Sequence, residues 1–555
     1  MPKRPKTDPA TVGDSSIQLV SFLATTVSVI SFLFYYKTGE FFLYGDAVAH
    51  INIARRVFDS RTPGPLQLGT VWLPLPHILM IPFLISHDMW QRGAGGSIPS
   101  MVAYVFAVIG IFRLTRDVLS RGAEPDAAAR AAAWTAALIF AANPNLIYMQ
   151  STAMGEAVFL AFFIWAVVFF AESNRDRKAL IKSGVCLVGA CLSRYDGWFL
   201  AGAMSVIIAW RAFFNRNDAG KGESHSSSRA VAIKFILIAA TGPALWLAYN
   251  GIVYRNPLEF ATGPYSARAI EQRTENTDHP GHPGSGRPFL ASLYFMKSAE
   301  DNLAENVWLQ RAWILILMGI IIAAIARKRW SDAASKASFT PFLLLLIPLL
   351  FYALSVAYSG VPIFVPNWWP FSHYNVRYGL QLLPAFAVAF GAMIYIAMRA
   401  SSWPRFVRLT CGVAPCVLAF ASYASVWRAT PVCLREAQIN MRTRTQLELE
   451  LSHWLDKLPA DATLLMYLGD HVGAVERAGI PLSHTINEGN HRVWKQPSDP
   501  EGLWERALAN PRQYADYILA FDGDPVWQAV HELRLRELVE IHVTGQARAV
   551  LYRVR

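Results

Sequence analysis

Apolar residues along this chain gather into runs, with the polar residues collected between them. Eleven runs lie near 17–36, 98–113, 131–148, 155–171, 180–193, 197–214, 230–250, 310–326, 339–358, 378–398 and 405–427. They approach the roughly 17–25 residues that a helix needs to cross a bilayer. A twelfth, 72–87 (WLPLPHILMIPFLISH), is shorter and carries Pro74, Pro76 and Pro82, so it reads as a helix lying in the interface. From about residue 431 the pattern changes. A helix at 435–457, a strand at TLLMYL, helices near 471–479 and 500–510, a strand at YADYILA, a helix at 525–538 and a terminal strand pair VEIHV/AVLYRV predict a mixed sheet with helices. The expected fold class is a multispanning α-helical membrane protein of about eleven spans plus interfacial helices (residues 1–430), followed by a small α/β domain (residues 431–555).

Composition agrees with that pattern. The chain is 53% hydrophobic and only 16% charged, against roughly 25% charged in soluble domains. A cytosolic globular protein is excluded. Five cysteines cannot staple 555 residues, and four of them (Cys186, Cys191, Cys411, Cys416) sit in apolar runs as small hydrophobes. The basic N-terminus leads into an apolar run that lacks a small-residue cleavage site, so it reads as an uncleaved first span.

The formal net charge of +11 changes the picture only through its distribution. Residues 431–555 hold 14 basic and 17 acidic side chains, and 37 basic residues lie in 1–430. Of those 37, 23 fall in the six segments 1–16, 113–130, 172–182, 211–234, 327–336 and 399–408. This is the charge bias of cytoplasmic loops, not of a nucleic-acid surface. It places the large loops near 37–97 and 251–309, and the α/β domain, outside the cytoplasm, in a multi-pass protein of the cytoplasmic (inner) membrane. Low-complexity stretches at 215–229 and 274–288 read as loop.

Several polar constellations then fall at outer helix ends. Asp46 and His50 are spaced i,i+4 and share one helix face, with Arg55 and Arg56 following. A carboxylate there can act as a general base or hold a cation; a solvated acid with snorkelling arginines is the alternative. Glu156 opens an apolar helix after Asn143-Pro144-Asn145 and Ser151–Gly155. It is either a cap on the helix dipole or an intramembrane acid with a function. Arg194 and Asp196 form a tight hairpin with Tyr195, where a structural ion pair is the readier role. His373 and Arg377 enter the tenth run, where Arg377 could clamp a phosphate in bidentate fashion or snorkel. Trp72, Trp90, Trp368 and Trp369 read as an interfacial belt. The histidines of DHPGHPG lack the spacing of a zinc site.

An acid in the first external loop, an NP…TAMGE turn, RYDGW and a late YNVRYGLQLLP together resemble the GT-C class of membrane glycosyltransferases. The likeness covers residues 17–427 and is nearest to the bacterial lipopolysaccharide-core, aminoarabinose and protein O-mannosyl transferases. The resemblance implies transfer of a sugar from a polyprenyl-phosphate-linked donor to an envelope glycan, lipid or protein at the outer face. By the same likeness Asp46 is the catalytic base, Glu156 a second acid near the donor or a divalent cation, and Arg377 the partner of the lipid phosphate. His50, Arg55, Arg56, Arg194, Asp196 and His373 complete the expected substrate-binding set. Two departures stand out: residue 47 is Ala, and the family's Lys-Pro-Pro segment reads LPLPH. Arg55, Arg56 or Arg61 are candidate substitutes for the missing lysine. The rival reading is a secondary transporter or flippase, but the acids lie at outer helix ends and no half-repeat is visible.

Overall fold

The structure, a computed structural model, describes residues 15–120, 124–173, 175–213, 225–274, 281–330, 340–400, 404–469, 471–490 and 501–554. The described residues of the eleven apolar runs are largely helical, the 131–148 run as two helices, Ala127–Ala141 and Pro144–Gln150. Among the described residues, six stretches are long and apolar enough to cross a membrane: Ser15–Thr38, Ala94–Leu119, Arg229–Val253, Thr340–Tyr358, Val376–Arg399 and a window in Arg405–Leu455. The runs at Ala127–Ala141, Glu156–Glu172, Arg177–Cys191, Asp196–Phe213 and Val307–Trp330 form the helices between them. The low-complexity stretches at 215–229 and 274–288 lie in part outside the described residues.

Small residues let these helices approach closely. The Ala127–Ala141 helix buries Ala129, Ala132, Ala133 and Ala136 completely. On the facing helix Leu383–Arg399, a Cβ on Gly391 would lie 2.6 Å from the Ala132 carbonyl oxygen. Helix association in lipid has little hydrophobic driving force of its own, so close backbone packing of this kind must supply it. The twelfth run becomes the helix Leu75–Leu84. Its ten residues span about 15 Å, half of a bilayer core of about 30 Å.

The C-terminal sheet has five strands in the order β2-β1-β3-β5-β4. They are β1 (Leu464–Met466), β2 (Thr485–Ile486), β3 (Tyr517–Phe521), β4 (Arg536–Ile541) and β5 (Ala549–Arg553). β1 runs parallel to β2 and β3, and β5 pairs antiparallel with β3 and β4. The mixed sheet matches the sequence expectation except in two places. Two-residue β2 is too short to show a period. The helix expected at 525–538 ends at Val530, capped at its start by Asp524, and β4 takes over at Arg536, pairing with β5 across a register shift between Glu537 and Val539.

This domain is fastened to the first long loop. The last apolar helix, Arg405–Ala429, breaks at Thr430 (φ 73) and Pro431 and continues as Val432–Leu455. Asp59 accepts the backbone N–H groups of Leu482 (3.3 Å) and Ser483 (3.0 Å) while pairing with Arg55 at 2.8 Å. Those bonds hold the Asp59 carboxyl below its usual range despite partial burial. Asn52 donates to Glu476 at 2.6 Å, and the Gly489 carbonyl accepts from Gln67 at 2.8 Å.

Candidate functional site

Residues distant in sequence converge where the ends of several helices meet. Asp46 sits in the first turn of the helix Gly45–Arg56, where the helix dipole favours an acid. Glu156 is the first residue of Glu156–Glu172, after Gly155. The segment before it is held rigidly: Asn143 and Asn145 both donate to the Asn302 carbonyl, and Asn145 accepts the Cys433 backbone N–H. Arg377 follows Asn375, whose positive φ of 57° turns the chain into the 3-10 segment Val376–Leu382. Asn is among the few residues that tolerate this conformation.

The Arg377 guanidinium holds three carboxylates with three different nitrogens. Nη2 meets Asp46 Oδ2 at 2.5 Å, Nη1 meets Glu436 Oε1 at 2.8 Å and Nε meets Glu156 Oε1 at 3.3 Å. Glu436 also accepts the Val376 backbone N–H at 2.7 Å. Arg194 joins the same Glu156 oxygen at 3.3 Å, lies 3.4 Å from Asp196 and donates to the Tyr352 hydroxyl at 2.5 Å. The Tyr378 ring lies between the two cations, 5.1 Å from Arg377 and 4.7 Å from Arg194. Glu156, Asp196 and Glu436 are nearly inaccessible, whereas the Asp46 side chain is 39% exposed. Glu156 Oε2 is buried without a partner.

Four carboxyl groups face two guanidinium groups here, so full ionisation would leave the cluster with surplus negative charge. Such a cluster is costly unless it takes up a proton or cationic group. Among the described residues, no three His, Cys, Asp or Glu side chains are placed to hold a metal ion.

Asp46, Glu156, Arg194, Asp196 and Arg377, singled out in the sequence, are thus brought together. Arg194 and Asp196 form the expected ion pair, but as part of the larger network. The phosphate clamp expected of Arg377 meets a fork already occupied by carboxylates. His50 stands one turn from Asp46, yet its Nδ1 bonds His77 Nε2 at 2.8 Å, with Trp72 4.8 Å from its ring. Arg55 is turned away: it pairs with Asp59, donates to the Leu84 carbonyl and is flanked by Phe58 and Trp90. Arg56 is half-buried, and Glu488 and Tyr254 offset the cost of removing its charge from water. Arg61 is taken up by Thr463. His373 lies outside the network, with its carbonyl accepting from Asn440. Trp90, read as part of a belt, is instead fully buried and donates to Asn52.

Sequence reading missed Glu436, Tyr352 and Tyr378 as members of the site. Glu436 belongs to no motif; its one signal is an acid within a few residues of the last apolar run. All five cysteines are free, and Cys433 is buried beside Asn302.

No protein-family model matches this chain, and no curated protein matches it. Solved structures do. The chain superposes on ArnT, an aminoarabinose transferase from Cupriavidus metallidurans, bound to undecaprenyl phosphate, with a TM-score of 0.53 and 13% identity over 98% of each chain. The apo state of that protein gives the same values. The apo oligosaccharyltransferase of Archaeoglobus fulgidus matches with a TM-score of 0.47 and 13% identity, over 92% of this chain and 70% of that one. These neighbours are GT-C glycosyltransferases, and the ArnT superposition shows that this chain has their fold.

Proposed function

We propose that this protein is an integral membrane glycosyltransferase that moves a sugar from a polyprenyl-phosphate-linked donor to a cell-envelope acceptor at the outer face of the cytoplasmic membrane. The observation that carries the reading is the half-exposed Asp46 carboxylate, held by a buried Arg377 where helix ends meet in a GT-C fold. An acceptor hydroxyl reaching the exposed side of Asp46 gives its proton to that carboxylate as its oxygen bonds the sugar's anomeric carbon. The bond from that carbon to the phosphate oxygen breaks, and its electron pair leaves on the phosphate. Because Arg377 shares its charge among Asp46, Glu156 and Glu436, it orients Asp46 without fully neutralising it.

The test is mass spectrometry of envelope glycans, lipids and proteins from a deletion strain carrying wild type or Asp46→Asn. The wild type should restore a sugar that is missing without it. The amide cannot take the proton, and general-base loss costs about 10²–10⁴-fold. Restoration by Asp46→Asn at equal membrane abundance would remove Asp46 as the base. A deletion strain with an unchanged sugar inventory would overturn the glycosyltransferase reading.

A further inference from the structure

The reading of Asp46 leaves a second pair of titratable groups beside it unexplained. His50 lies four residues after Asp46, which puts the two side chains on one face with Cβ atoms about 5–6 Å apart. His77 comes from the interfacial helix Leu75–Leu84 and is completely buried. The two rings share one hydrogen bond, His50 Nδ1 to His77 Nε2, at 2.8 Å. His77 Nδ1 is buried with no partner.

Both imidazoles are neutral at neutral pH. Burial lowers both below the ordinary range; Arg377 and Arg194 lower His50 further, against Asp46 and Glu156, and Arg56 lowers His77. A neutral ring has one donor nitrogen and one acceptor, so the shared bond allows two arrangements. If His50 Nδ1 carries the hydrogen, His77 is left with an orphaned N–H in a dry site, and the second nitrogen of His50 is a lone pair. If His77 Nε2 carries it, the orphan on His77 is only a lone pair, and His50 presents an N–H at Nε2. Orphaned buried N–H groups are rarer than orphaned acceptors, which selects the second arrangement.

We propose that His77 is a positioning residue that fixes His50 as its Nε2–H tautomer, so that His50 donates a neutral hydrogen bond to a phosphoryl oxygen of the lipid-linked donor beside Asp46. This rests on the glycosyltransferase reading and deepens it. A neutral donor stabilises charge gathering on the leaving phosphate. It does so without adding the positive charge that would weaken Asp46 as a base. Arg377, with three nitrogens on carboxylates, is poorly placed to be the sole phosphate donor.

The experiment uses full-length protein in lipid nanodiscs, labelled with ¹⁵N-histidine, with the His50 signals identified by their loss in His50→Leu. In wild type, His50 should show a protonated Nε2 and an unprotonated Nδ1, and undecaprenyl phosphate should shift the Nε2 signal. His77→Leu should mix the tautomers and weaken undecaprenyl phosphate binding about tenfold or more, the worth of one hydrogen bond to a charged group. His77→Gln, whose amide can still donate to Nδ1, should restore both. An Nδ1–H tautomer in wild type overturns the proposal, as does unchanged lipid-phosphate affinity in both His77→Leu and His50→Leu. Equal response to inorganic phosphate at the same concentration overturns the lipid-linked ligand. If wild type binds no undecaprenyl phosphate, the donor reading itself fails, whereas a wild type that binds through a tautomer indifferent to His77 sinks this inference alone.

Discussion

Arg377 shows why residue type matters more than charge at this site. Its guanidinium presents N–H groups in a rigid plane and meets Asp46, Glu436 and Glu156 along three directions. A lysine ammonium on a flexible stem cannot reproduce that fan, so Arg377→Lys leaves at least one nearly inaccessible carboxylate without its partner. Breaking a buried pair this way costs about 3–5 kcal/mol. Arg377→Lys should therefore unfold at clearly lower temperature in detergent and also lose transfer. Wild-type thermal stability in that variant would mean that the carboxylates are protonated or hydrated and do not depend on the fork. The sequence reading found Arg377, Asp46 and Glu156 because each stands out as a charge at the end of an apolar run. It missed Glu436, because an acid among the polar residues of LREAQIN is ordinary until folding brings it within 2.8 Å of Arg377.

At the scale of elements, the placement of that arginine depends on how tightly its segment lies on its neighbour. Gly379, two residues after Arg377, faces the backbone of the helix Pro288–Asp301, and a Cβ there would lie 2.4 Å from Ala299 N and Ser298 O. Backbone cannot yield as a side-chain tip can. Gly379→Ala should thus cost about 1–3 kcal/mol by overpacking and depress transfer by displacing Arg377, read as a fall in thermal midpoint together with activity. A second element-level contact is sensitive to pH. Glu476, on the helix Val472–Ala478, is buried against Asn52 of the Asp46 helix, and burial raises its carboxyl well above the ordinary range. The folded state then binds a proton that the unfolded state releases near pH 4.5. Stability is greatest below that value and declines as pH rises from there through the raised folded value. Glu476→Gln keeps the hydrogen bond without the titration, so thermal midpoints measured from pH 5 to pH 8 should fall less steeply than in wild type. Parallel pH profiles would show that Glu476 is already ionised at this contact.

For the whole molecule, sidedness ties the separate observations together. The Asp46 helix, the interfacial helix and the α/β domain all gather at one end of the helical bundle, and Asp59, Asn52 and Gln67 fasten the domain to the loop that carries the site. The bias of 23 basic residues toward six loops predicts that end to lie outside the cytoplasm. A reporter fused after Arg555 should be active only in the extracytoplasmic compartment. Activity confined to the cytoplasm would invert the orientation and move the candidate site to the wrong face for an envelope acceptor.

Much of this architecture is written in patterns that span one element. Runs of apolar residues determine helices because a helix satisfies its backbone groups within one spanning segment, and short apolar stretches bounded by polar residues mark strands such as β3 and β5. Charge counts over short loops determine the expected sidedness for a similar local reason. What the sequence did not carry is anything that depends on which ends meet. The gathering of Asp46, Glu156, Arg194, Asp196, Arg377 and Glu436, the pairing of His50 with His77, and the burial of Trp90 each join residues dozens to hundreds of positions apart. Only the packing of helix on helix brings these groups within hydrogen-bonding reach.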